Sequence, residues 1–69
     1  MNKNLIEGLQ DEMNRVRDII KVYEEVPGGA GIFAITMMKA SIKEAEKSMA
    51  EGDVIEEMKC YESLKTYEL

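Results

Sequence analysis

The residues best suited to ligand chemistry cluster around Pro27-Gly28-Gly29-Ala30-Gly31, a run of three glycines after a proline, immediately ahead of an apolar stretch. A helix starting near Gly31 has no serine, threonine, aspartate or asparagine at its N-cap, so its first amides lack an obvious side-chain acceptor. Amides at a helix start behind flexible glycines suit phosphate or carboxylate. Arg17 and Lys21 lie one to two turns before the loop, and Tyr23 and Phe33 flank it, placed to stack on a base. These residues define a candidate ligand-binding set: Arg17, Lys21, Tyr23, Gly28, Gly29, Gly31 and Phe33. The competing reading is a plain interhelical turn whose amides meet water or carbonyls. The literal match of Gly29-Ala30-Gly31-Ile32-Phe33-Ala34 to G-x-G-x-x-A carries no weight, because that pattern has meaning only after a strand in a βαβ unit, and here a helix is expected before it.

Other reactive groups have simpler readings. Cys60 stands beside Lys59, which would lower a thiol pKa. With no histidine in the chain to act as its base, Cys60 is read as a small buried hydrophobe. Tyr61 and Tyr67 belong to packing on the last helix. The acidic pairs Glu44/Glu46, Glu56/Glu57 and Glu7/Asp11 are read as solvated faces, and a di-iron bundle would need Glu-x-x-His. No catalytic residue, metal site or cofactor is expected, and the chain is read as a non-enzymatic binding protein.

Composition narrows the partners. A net charge of −5, from 14 acidic and 9 basic residues, disfavours direct DNA or RNA binding and anionic membranes. Met1-Asn2-Lys3-Asn4 begins no signal-peptide core, and the uncharged stretch Val26 to Met38 is too short and glycine-rich to span a bilayer. With a single thiol, this predicts a cytoplasmic protein. Sixty-nine residues make one domain whose core supplies only about 3–5 kcal/mol. With no disulfide or zinc available, self-association is the expected support.

The elements that position these groups are three helices, at about 4–25, 31–51 and 54–67, giving an all-α fold with a Pro/Gly-rich turn at 27–31. In the first, Ile6, Met13 and Ile20 alternate with Leu9, Val16 and Tyr23 in a 3-4 seam over three heptads. Leu5, Ile19 and Val26 widen that stripe, and Asp11, Asp18 and Glu25 lie opposite it. Gly8 is its weak point. The second helix carries Ile35, Met38, Ile42, Ala45 and Met49, beside a stripe of small residues, Ala34, Ser41 and Ser48. Its first turns, Ile32 to Met38, are apolar all round, which predicts burial on every face. Gly52-Asp53 stops one helix and starts the next, Asp53 with Glu56 matching D-x-x-E. The third helix is expected to bury Val54, Met58, Tyr61 and Leu64 or Lys65, with Ile55 beside them, in a tight αα-hairpin with the second. Leu9/Val16 and Ile35/Met38 are the faces expected to assemble a homo-oligomeric bundle.

Over Val26 to Lys65 the chain resembles a recurrent type of small uncharacterised phage and prophage protein. The resemblance rests on Gly29-Ala30-Gly31-Ile32-Phe33, Met37-Met38, Ala45-Glu46-Lys47, Ala50-Glu51-Gly52-Asp53-Val54, Met58, Tyr61 and Leu64-Lys65. In that group the loop often reads Gly-Pro-Ala-Gly, whereas here proline precedes two glycines. The resemblance implies an intracellular accessory protein acting against host defence. Two mechanisms fit: sequestration of a nucleotide or cyclic-nucleotide signal, or blockade of a host protein. A structural assembly component is a third reading.

Overall fold

The structure, a computed structural model, describes residues 4–69; the reading of Met1-Asn2-Lys3 falls outside them. Three helices, α1 (Leu5–Glu24), α2 (Ile32–Glu51) and α3 (Val54–Lys65), enclose one core, with a 3₁₀ turn at Pro27–Gly29. The described residues contain no strand, so the all-α class and the three-helix order hold. The third helix stops at Lys65, short of the expected 67.

Each boundary has a local cause. Asn4 caps α1 by accepting the Glu7 amide at 2.8 Å, and Asp53 caps α3 by accepting from Glu56 at 3.1 Å. Val26 is extended, as a residue before proline must be. Gly28 and Gly29 take φ of +78° and +71°, which reverses the chain. Gly52, at φ +66°, ends α2 in a complete Schellman motif: its amide reaches the Met49 carbonyl at 3.2 Å and that of Asp53 reaches Ser48 at 3.1 Å.

The α1 seam closes within its own chain. Leu9, Met13, Val16, Ile19 and Ile20 pack with Ile35, Met38, Ile42, Ala45, Cys60 and Leu64 in a single core. Leu9/Val16 and Ile35/Met38 are therefore not oligomer faces: the intramolecular core already uses them. The start of α2, expected to be buried on every face at the centre of an assembly, is open within the single chain. Ile32 is 62% exposed, Phe33 70% and Met37 49%, because α3 has 12 residues against 20 in α2 and does not extend alongside them.

The buried face of α3 is rotated from the expected one. Val54 and Met58 are mostly exposed and Glu57 turns inward, while Cys60 and Leu64 are buried as expected. Two ends fix that rotation. The Gly52-Asp53 cap sets the phase of the first turn. At the other end, Arg15 of α1 donates to the Leu64 carbonyl at 2.9 Å and the Tyr67 carbonyl at 2.7 Å. Glu57, read as solvated, is 4% exposed; it sits in the first turn of α3, where the helix dipole favours a carboxylate. Among the described residues, no buried side-chain polar atom lacks a hydrogen-bond partner.

Candidate functional site: the α1–α2 groove and the hairpin tip

The sequence-derived ligand set divides between two neighbouring places. Tyr23, Gly28, Gly29, Gly31 and Phe33 gather at the hairpin tip, where α1 turns into α2. Arg17 and Lys21 instead line a groove on the flank of the hairpin, together with Ile20, Glu24, Lys39, Ile42 and Glu46.

At the tip, the α2 start has no side-chain cap. Its first intrahelical bond runs from the Ile35 amide to the Gly31 carbonyl at 2.9 Å, so the amides of Ile32, Phe33 and Ala34 precede the helical ladder. Gly31 is buried and not positive in φ. A Cβ on it would lie 3.1 Å from Tyr23 Cδ2 and 3.2 Å from both the Tyr23 Cβ and its carbonyl oxygen. Gly31 is thus required by close helix approach, and Tyr23 covers it as part of the fold. Phe33 remains exposed.

The groove measures about 430 Å³, within the range that holds a small ligand. Arg17, Lys21 and Lys39 face Glu24 and Glu46 in the lining, with Asp18 beside Lys21, so three cations converge on one groove in a chain of net charge −5. Arg17 is committed: it bonds Glu46 at 3.2 Å and Asn14 at 3.0 Å. The two lysines are held loosely, Lys21 at 3.9 Å from Asp18 and Lys39 at 3.6 Å from Glu24, with side chains 75% and 61% exposed. Exposed pairs of this length contribute little, so both ammonium groups can turn to an incoming anion. The buried residues Ile20 and Ile42 supply apolar surface between them.

Lys39 and Glu24 were missed by sequence reasoning. Their only signal was the i,i+3 spacing of Lys39 and Ile42 on the α2 flank nearest α1, and the pairing of α1 with α2 had to be known to use it.

The remaining reactive groups are structural. Cys60 is buried, and its thiol pKa is pushed above the ordinary 9.0 by burial and by Glu56 and Glu44, against the lowering effect of a hydrogen bond with Ser48. Such a thiol is a poor nucleophile at neutral pH. Tyr61 packs at Gly8, whose added Cβ would be 3.3 Å from the ring, and Lys65 sits 5.2 Å over that ring. Tyr67 shares a 2.8 Å hydrogen bond with Ser41 and donates to the Met37 carbonyl at 3.3 Å. Among the described residues there is no group of three or more His, Cys, Asp or Glu side chains that could hold a metal ion, and no helix is long and apolar enough to cross a membrane.

Comparison with protein families, curated proteins and solved structures finds no match.

Proposed function

We propose that this chain is a non-enzymatic binding protein that sequesters a phosphate-bearing small molecule, of the nucleotide or cyclic-nucleotide class, in the α1–α2 groove. The observation that carries this reading is the convergence of two weakly held lysines beside Ile20 and Ile42 in a groove of an otherwise acidic chain. A phosphate would be met by Lys21 and Lys39, and a base would lie on the apolar floor, with the exposed Phe33 ring at the adjoining tip. Arg17 holds the groove's shape through Glu46. Sequestration needs no reacting group, in keeping with a site that offers charge and surface alone. The phage resemblance fits this as an accessory protein that removes a signal of host defence.

Native mass spectrometry with a mixture of linear and cyclic nucleotides tests the proposal. Retention of one nucleotide per groove, lost in Lys21→Ala/Lys39→Ala and weakened by salt, is the expected result. A groove that stays empty with every nucleotide, or binding that survives the double substitution, would overturn it. An empty groove would favour the second reading, protein blockade through the apolar tip, which rests on the exposure of Ile32, Phe33 and Met37.

A further inference from the structure

The two ion pairs that join α1 to α2 share one register. Arg17 meets Glu46 at 3.2 Å and Glu24 meets Lys39 at 3.6 Å. The step from Arg17 to Glu24 along α1 equals the step back from Glu46 to Lys39 along α2, as antiparallel neighbours require. Between them, as far past Arg17 as Ile42 lies before Glu46, Lys21 stands level with Ile42. All six residues line the same groove. It is therefore a ladder of three rungs, the outer two closed by opposite charges and the middle one a cation across from an aliphatic side chain.

That order of charges limits what the groove can hold. Lys21 pairs only with Asp18 of its own helix, at 3.9 Å with both side chains largely exposed, so an anion entering the middle rung meets an ammonium that is weakly held. The outer rungs set a carboxylate on either side of that point, Glu46 towards one end and Glu24 towards the other, roughly 10 Å apart along the helix axis at 1.5 Å per residue. One phosphate group centred at Lys21 thus lies roughly 5 Å from each rung. A second or third phosphate in line with it would advance on a carboxylate. Groups that donate hydrogen bonds have the opposite experience, because a carboxylate accepts from hydroxyl and amino groups. Lys39 adds to this: turning from Glu24 towards the phosphate, it leaves the Glu24 carboxylate free to accept.

We infer, resting on the ligand site proposed above, that the groove selects ligands carrying a single phosphate group, nucleoside monophosphates in open or cyclic form, and discriminates against di- and triphosphates. Glu24 and Glu46 are the residues that set this preference. A groove that were simply cationic would behave in the reverse way, its affinity rising with every phosphate added. Here each added charge meets a carboxylate at one rung or the other, in a chain whose net charge of −5 repels it further.

Titration calorimetry at low salt decides this, with the mono-, cyclic mono-, di- and triphosphates of adenosine and guanosine, and a chelator present so that no magnesium masks their charge. The expected result is tightest binding of a monophosphate or its cyclic form. The diphosphate should bind roughly fourfold more weakly, the effect in water of one charge about 5 Å from a carboxylate, and the triphosphate more weakly again. Glu24→Gln/Glu46→Gln should abolish or reverse that order, with circular dichroism confirming unchanged helix content, since both carboxylates are exposed at the surface. Binding that strengthens with each phosphate in the unmodified protein would overturn the selectivity while leaving the groove as a nucleotide site. So would an order of affinities that the double substitution does not alter. Failure of every nucleotide to bind would remove the groove as the ligand site, and the selectivity with it.

Discussion

At the scale of single residues, Arg15 carries more of the architecture than any other charged side chain. Its guanidinium donates to the Leu64 carbonyl in the last turn of α3, to the Tyr67 carbonyl just beyond it and, in the same geometry, to Glu12 at 3.0 and 3.2 Å. The planar fork closes the C-terminus of α3, where cationic donors complement the helix dipole. Arg15→Ala should destabilise the protein by about 1–3 kcal/mol in urea unfolding, and Arg15→Lys should recover only a minor part, since one ammonium cannot span both carbonyls. Gly31→Ala should also destabilise, by about 1–3 kcal/mol, because its Cβ would press on the Tyr23 backbone as well as its ring. Cys60 adds a pH dependence. A thiol whose pKa is raised in the folded state contributes stability that is fully present below the unfolded pKa and is lost as pH rises through the folded one. Stability should therefore fall above about pH 9, and Cys60→Ala should flatten that slope in thermal melts followed against pH.

At the scale of elements, the caps decide where each helix sits. Asp53→Ala should cost about 0.5–2 kcal/mol, and Gly52→Ala about 1–2 kcal/mol for placing a Cβ at positive φ; both would register as a lowered denaturation midpoint. These elements are the ones most legible in the sequence. The heptad spacing placed Leu9, Met13, Val16 and Ile20 on the inner face of α1, though its end members depart from it, Ile6 being exposed and Tyr23 half-buried, and Gly52-Asp53 marked the break between α2 and α3, because periodicity and capping act over a few residues. The rotation of α3 was not legible. Val54, Ile55 and Met58 outscore Glu57 as core candidates on hydrophobicity alone, yet the phase of α3 is set by a cap at one end and a guanidinium 49 residues away at the other. The candidate site was legible in part for the same reason. Arg17 and Lys21 could be identified as cations near a turn, but their convergence with Lys39 depends on how α1 meets α2.

At the scale of the whole molecule, stability rests on a small core and few supports. The ion pairs joining α1 to α2, Arg17–Glu46 and Lys39–Glu24, are exposed, and such pairs contribute about 0–1 kcal/mol each. Raising salt to molar concentration should therefore shift the urea midpoint very little, in contrast to its expected effect on anion binding in the groove.

The strap from Arg15 to α3 also bears on the order in which the chain assembles. The α1–α2 hairpin can form from contacts closer in sequence, while Arg15 must wait for acceptors 49 and 52 residues on, whose loop-closure cost is larger. A contact made after the folding barrier is crossed governs how long the native state lasts, with little influence on how fast it is reached. Stopped-flow measurements on Arg15→Ala should accordingly show a nearly unchanged refolding rate and unfolding accelerated roughly 5- to 150-fold, the kinetic equivalent of about 1–3 kcal/mol. The hydrogen bonds that tie the last helix to the first thus act as a latch on the lifetime of the folded protein.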